Sequence, residues 1–204
     1  MNSKRFFTTR KLVVMALLSA MAIAVFCYVE FPIPMLLPSF LKFDPSNVIT
    51  LLAGFALGPI EGVMVCLIKN IVHVLIKGMG TTMGIGDIFD FISGASFVLT
   101  ASLIYRRKKT KKNAIIGCFV GALVMAVISL PLNYFIVYPI YFKAYGGEAA
   151  ILSAYQSILP ETKNIFQALC IFNFPFTLIK GIVCAMVTVF IYKPLSPILK
   201  AERK

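Results

Sequence analysis

Residues 97–125 read FVLTASLIYRRKKTKKNAIIGCFVGALVM, two apolar runs joined at 106–112 by seven residues of which six are Lys or Arg. A dense basic segment between apolar runs marks a loop kept on the cytoplasmic face of a membrane. Two other basic clusters flank the chain: Lys4, Arg5, Arg10 and Lys11 at one end, and Lys193, Lys200, Arg203 and Lys204 at the other. Clusters on the same side must be separated by an even number of crossings. Four fit between the first and second clusters and two between the second and third, giving six spans near 11–29, 46–58, 60–77, 88–105, 114–139 and 165–192. The fold class expected is an all-α membrane protein, a six-transmembrane-helix bundle with both termini cytoplasmic and residues 1–204 forming a single membrane domain.

Composition agrees with that reading. Of 204 residues 59% are hydrophobic, and the mean hydropathy is +0.90, outside the range of soluble globular chains. Six spans of ~20 residues consume more than half the chain and leave no room for a soluble domain. The span at 46–58 is short for a crossing, and the charge arithmetic is the reason to keep it. The net charge of +12 is accounted for by lipid topology and anionic headgroups, so no nucleic-acid partner is expected. Residues 1–29 resemble a signal peptide, with Ala20, Ala22 and Ala24 as small residues, but removing them would leave five spans and break the agreement among the clusters; they are expected to stay attached. Cys27, Cys66, Cys118, Cys170 and Cys184 lie in apolar stretches without a Cys-x-x-Cys pair, which suits packing better than a metal site.

This topology puts the connections at 30–45, 78–87 and 140–164 outside. The first is stiffened by Pro32, Pro34 and Pro38, which suits a lid or pocket wall and equally suits plain helix termination, and the second is glycine-rich (GMGTTMGIGD), which allows close approach to a flat ligand. Polar groups at membrane depth are functional candidates. Asn173, Thr177 and Lys180 fall at i, i+4 and i+7, so one helical face carries an amide, a hydroxyl and an ammonium suited to a polar ligand; snorkelling of Lys180 to an interface is the other reading, and its place near mid-span favours the first. Asn133, within SLPLNYFIVYP, offers donor and acceptor, and ligand contact and helix packing both stay open for it; Tyr134 and Tyr138 add aromatic surface beside it. Glu61, Lys69, Asn70 and His73 read best as internally hydrogen-bonded or ion-paired, with His73 or Asn70 near the pocket as the other reading. Asp87 and Asp90, three apart, have three open roles, as helix caps, cation ligands or ligand contacts, with capping favoured for Asp87. Ala16, Ala20 and Ala24 form a smooth stripe against which another helix can dock.

In order along the chain, this stripe, FPIP followed by FLKFDPSNV, GP plus IKN at 68–70, Gly84-x-Gly86 with FISG at 91–94, LNY with Pro139 and Tyr141, and PFTLIKG at 175–181 resemble the riboflavin-binding group of substrate-binding (S) components of energy-coupling-factor (ECF) vitamin transporters. The resemblance implies a cell-membrane subunit that captures riboflavin from outside, works with a transmembrane coupling subunit and two cytoplasmic ATPase subunits, and performs no catalysis. The chain has no phosphate-binding Gly-x-x-x-x-Gly-Lys-Ser/Thr motif, in keeping with ATP hydrolysis by partners. The resemblance assigns substrate contact to Asn133, Asn173, Thr177 and Lys180, with Phe40 and Leu41 from the first outer loop and Asp90 nearby. It assigns partner docking to Ala16, Ala20 and Ala24, and requires no cofactor or metal. The family often has Asn in place of Thr177 and Asp90, which changes the donors at the pocket. Three other readings remain: an S component for another vitamin, a membrane-embedded metal enzyme using Asp87 and Asp90, and a self-sufficient carrier, for which no internal repeat is visible.

Overall fold

The computed structural model describes residues 8–33, 37–38, 40–79 and 83–200, with side chains as far as 191. Lys4, Arg5, Pro34, Arg203, Lys204 and the centre of the glycine-rich segment at 80–82 lie outside the described residues, as do the side chains of Lys193 and Lys200.

Among the described residues, five helical stretches are long and apolar enough to cross a membrane. They are α1 (Thr9–Tyr28), α3 (Pro59–Lys77), α4 (Ile85–Arg107), the continuous stretch Lys111–Ala144 and the stretch Ile165–Ile191. Between α1 and α3 lie β1 (Phe31–Pro32), β2 (Lys42–Phe43) and the short helix α2 (Asn47–Ala56). Helix starts follow local chemistry: the Thr8 hydroxyl accepts from the Lys11 amide at 3.3 Å, and Thr110, the one uncharged residue of 106–112, accepts from the Asn113 amide at 3.2 Å. Gly58, at φ 140°, and Pro59 turn the chain sharply from α2 into α3.

Helix α2 explains its own shortness. Ten residues span about 15 Å, half of a ~30 Å hydrocarbon core. Every residue from Asn47 to Phe55 is buried, and the helix packs against α1, α3, α4 and α9 (Phe174–Lys200). A helix apolar all round belongs in the middle of a bundle. Among the described residues the six expected spans are therefore five long helical stretches and a short central helix at the position of the short second span.

The remaining helices pack in series, α1 on α3, α3 on α4, α4 on α5 (Lys111–Leu132) and α5 on α9. Small residues allow the closest approaches. A Cβ on Gly117 would lie 2.6 Å from the Ala101 carbonyl oxygen and one on Gly121 2.8 Å from that of Phe97, so Gly117-x-x-x-Gly121 is the seam between α4 and α5. A Cβ on Gly62 would lie 2.7 Å from the Gly54 Cα and 2.6 Å from Val98 Cγ1. Substituting Ala for Gly62 is expected to cost about 1–3 kcal/mol by overpacking. The same change at Gly86, where the nearest atom is 3.7 Å away, should be neutral or stabilising. Unfolding temperatures of the two variants in detergent check this.

Candidate functional site

Helices α3 and α4 run antiparallel, and their polar residues meet as rungs one turn apart: Lys69 Nζ donates to Asp90 Oδ2 at 2.6 Å, and His73 Nδ1 lies 2.5 Å from Asp87 Oδ1. Lys69 has no exposed surface. It also donates to Ser46 Oγ at 2.8 Å and lies 4.5 Å from the centre of the Phe26 ring, so its three protons are all directed at protein groups. Lys180 of α9 donates to Asp44 Oδ2 at 2.5 Å and reaches Asp90 Oδ1 at 3.4 Å. Asp44 in turn accepts from the amide of Ser46 at 3.1 Å and from its hydroxyl. Two carboxylates and two ammoniums from four segments thus form one neutral cluster. Burial alone pushes the Asp44 carboxyl up, but Lys180, Lys69 and the hydrogen bonds from Lys180 and Ser46 overcome it and hold that group well below the usual carboxylate range.

Above this cluster lies a cavity of about 400 Å³, within the size range of small-molecule sites. Aromatic residues Phe40, Phe89, Tyr138, Tyr141 and Phe176 supply much of its wall. Asn133 and Thr177 line it, are 4% and 6% exposed, and have no side-chain hydrogen-bond partner among the described residues. With two protons of Lys180 directed at Asp44 and Asp90, its third is left for whatever enters. The cavity therefore holds an amide, a hydroxyl and an ammonium proton that the protein does not satisfy, beside flat apolar surface.

The two asparagines reach the cavity from equivalent irregularities. Asn133–Val137 and Leu169–Asn173 are π-helical turns, each ending two residues before a proline, Pro139 or Pro175. A proline has no N–H to give to the carbonyl four residues back and its ring collides with that carbonyl; widening the preceding turn relieves both. Such turns recur at functional sites.

Asn133, Asn173, Thr177, Lys180, Asp90, Phe40 and Leu41 all line this one cavity. Ala16, Ala20 and Ala24 are exposed on α1, turned away from the bundle. The paired reading of the third span holds: Lys69 and His73 take Asp90 and Asp87, Asn70 donates to Asp90 Oδ2 at 3.2 Å, and Glu61 accepts from Lys11 Nζ at 2.7 Å; His73 also lines the cavity. Two expectations are corrected. Asp87 does not cap α4, whose cap is Gly84 in the left-handed region; it lies within the first turn and holds His73. Tyr134 is 43% exposed and packs on Phe166, because the wide turn places Tyr138, five residues on, beneath Asn133. Asp87 and Asp90, on which a metal-dependent reading would rest, each hold a different basic partner. The central role of Asp44 was not anticipated, though its place in FLKFDPSNV, an acid at the membrane border ahead of a buried span, was a usable signal. Cys170 is exposed, unlike the four other cysteines.

A family model described as "ECF transporter, substrate-specific component" matches residues 10–192. This chain belongs to that family. As an S component it is a multi-pass protein of the cell membrane, a binding subunit of a transporter and not an enzyme. It is 34% identical to the riboflavin transporter RibU of Staphylococcus aureus over 94% of this chain and 93% of that one. It is 30% identical to the riboflavin transporter FmnP of Bacillus subtilis over 95% and 96%. A solved structure described as "Structure and mechanism of the S component of a bacterial ECF transporter" superimposes with a TM-score of 0.72 at 33% identity, covering 94% of this chain and 98% of that one.

The depressed Asp44 carboxyl sets a pH expectation. A group whose folded pKa lies below its unfolded value of ~3.9 contributes stability above that value and loses it as pH falls toward the folded pKa. The gap in unfolding temperature between this S component and its Asp44→Asn variant should stay constant from about pH 5 to pH 8 and narrow below about pH 4. Lys69→Met, which leaves Asp90 with less compensation, should cost about 3–5 kcal/mol in the same measurement at neutral pH.

Proposed function

We propose that this S component captures riboflavin from the outer side of the membrane and delivers it through a transmembrane coupling subunit driven by two cytoplasmic ATPase subunits. The observation that carries this reading is the set of unsatisfied polar groups, Asn133, Thr177 and the third proton of Lys180, gathered in a buried cavity walled by aromatic rings. The riboflavin ring system is flat and largely apolar, with a pyrimidine edge on which two carbonyls flank an imide N–H. An asparagine supplies both donor and acceptor to such an edge, and an ammonium supplies a donor to a carbonyl or ring nitrogen. The naming of full-length relatives as riboflavin transporters supports the same cargo.

Charge is consistent with an uncharged cargo. The acids of the lining have basic partners: Glu30 accepts from Lys42 Nζ at 3.0 Å, His73 faces Asp87, and Lys69 and Lys180 hold Asp90 and Asp44. A neutral ligand leaves these pairs intact, whereas an anion would have to compete with them. In the six-crossing topology with both termini cytoplasmic, the hairpin of β1 and β2 and the connection after α6 (Tyr138–Ala144) face outward over the cavity. The exposed alanines of α1 then offer a smooth face within the bilayer to the coupling subunit.

The purified protein is expected to carry or bind a flavin whose visible absorption peaks are displaced from those of free riboflavin; a colourless protein that leaves riboflavin fluorescence unquenched would overturn the assignment. Because Asn133 has no side-chain hydrogen-bond partner among the described residues, Asn133→Leu should fold normally yet bind riboflavin about tenfold more weakly, which a quenching titration measures. Ala20→Trp should abolish uptake by cells while leaving that titration unchanged.

A further inference from the structure

The open polar groups of the cavity divide by what they offer. Those of Asn133, Thr177 and Lys180 can all donate a proton. A second polar wall is built where three helices end. Glu30 follows the end of α1, His73 lies near the end of α3, and Asp87 is in the first turn of α4, one turn beyond Asp90. All three line the cavity, and the charges of both Glu30 and Asp87 reach Cys27 in the last turn of α1. Each acid has one oxygen in use: Glu30 Oε1 accepts from Lys42 Nζ at 3.0 Å, and Asp87 Oδ1 lies 2.5 Å from His73 Nδ1. The second oxygens, Glu30 Oε2 and Asp87 Oδ2, have no hydrogen-bond partner among the described residues, and the packing encloses neither. An ionised carboxylate accepts and cannot donate.

The basic groups at this end offer a ligand little. His73 has Nδ1 directed at Asp87, Nε2 enclosed without a partner among the described residues, and its ring stacked on Phe26 at 4.0 Å. Lys42 is held by Glu30 and its side chain is 49% exposed, so water and salt screen its charge. Lys77 lies 6.0 Å from the Tyr28 ring, outside the lining. The hydroxyls of Tyr141 and Tyr145, also in the lining, can donate to a hydroxyl or to a phosphate and do not tell them apart. The outer wall is therefore dominated by two open acceptors that carry negative charge.

A flavin whose pyrimidine edge meets Asn133 and Lys180 carries a sugar-alcohol chain on its middle ring, and the outer wall is where such a chain finds polar company. Every hydroxyl of the chain has a proton for a carboxylate oxygen, and bonds to an ionised acceptor are the strong ones. A phosphate at the end of the same chain adds close to two negative charges and almost no donor. It would face two carboxylates in a site with little water to separate them.

We propose that Glu30 and Asp87 are specificity-determining residues, accepting hydroxyl protons from the chain of the cargo and turning away its phosphorylated form. This rests on the riboflavin reading and deepens it, since it names which flavins the site takes and which residues decide.

The test titrates three ligands by fluorescence quenching into the full chain in lipid nanodiscs: riboflavin, its 5′-phosphate, and lumiflavin, which has the same ring system and a methyl group in place of the chain. The variants are Asp87→Asn and Glu30→Gln. Each keeps shape and an oxygen for His73 or Lys42, and lumiflavin binding reports whether the ring site is intact. The parent should bind riboflavin at least about tenfold more tightly than the phosphate ester. In each variant that gap should shrink by about tenfold, with riboflavin weakened and the ester strengthened, while lumiflavin stays within a factor of about two. Glu148→Gln removes the same charge from an exposed position at the start of α7 (Glu148–Gln156) and should change none of the three. A gap that persists in both variants, or a parent that binds the ester as tightly as riboflavin, would overturn the proposal and leave the riboflavin reading standing. Lumiflavin weakened as much as riboflavin would mark the two acids as supports of the ring site and sink the idea. A parent that binds none of the three removes the riboflavin reading, and this assignment with it.

Discussion

Lys180 is held by two carboxylates that reach it from far along the chain, Asp44 at a separation of 136 residues and Asp90 at 90. In a bundle surrounded by lipid an uncompensated ammonium is prohibitive, so these contacts are a condition of closing the fold as well as a feature of it. Each partner is itself tied elsewhere. Asp90 also holds Lys69 of α3, and Asp44 holds Ser46 at the entrance to α2. The last helix, the third, the fourth and the start of the buried second are thereby fixed relative to one another through one neutral cluster. The same arithmetic makes the site: Lys69 is consumed by structure, whereas Lys180 has two anchors and three protons. The residue that locks the bundle is the one that faces the cavity with something left to give.

The parts of this arrangement that could be read from the sequence are those governed by local period and by solvent. Lipid demands long apolar runs, and these are what make an all-α membrane protein legible in the sequence. A period of 3.6 residues placed Asn173, Thr177 and Lys180 on one face, and they share one cavity. What escaped was of three kinds. Hydropathy does not tell a lipid-facing apolar residue from one buried among helices, so nothing local showed that α2 is short because it sits at the centre of the bundle. Period arguments also assume regular helix, and at Asn133 the helix is wider. A regular turn would have put Tyr134 and Tyr138 on one face; the π-helical turn sends Tyr134 outward and leaves Tyr138 in the wall. Asp44 was missed because its importance depends on a lysine 136 residues away, a relation no window contains.

The two wide turns connect the backbone to the chemistry. In each, a proline two residues downstream cannot supply a hydrogen bond, and the turn before it opens. The widening rotates the downstream helix relative to the upstream one, so an asparagine at either end can face inward while the apolar residues between it and the proline face lipid or neighbouring helices. An asparagine in a regular helix with an apolar inner face would meet packed side chains and have its amide buried without partners, at a cost of ~1–3 kcal/mol. Here the cavity supplies the room, and the protein satisfies one asparagine while leaving the other open. Asn173 is tied into the ring with Tyr138 and Tyr155, whereas Asn133 has no side-chain hydrogen-bond partner among the described residues. A ligand edge entering between them would meet one amide held in place and one free to turn, so only the second has rotational freedom to lose, which lowers the entropy cost of capture.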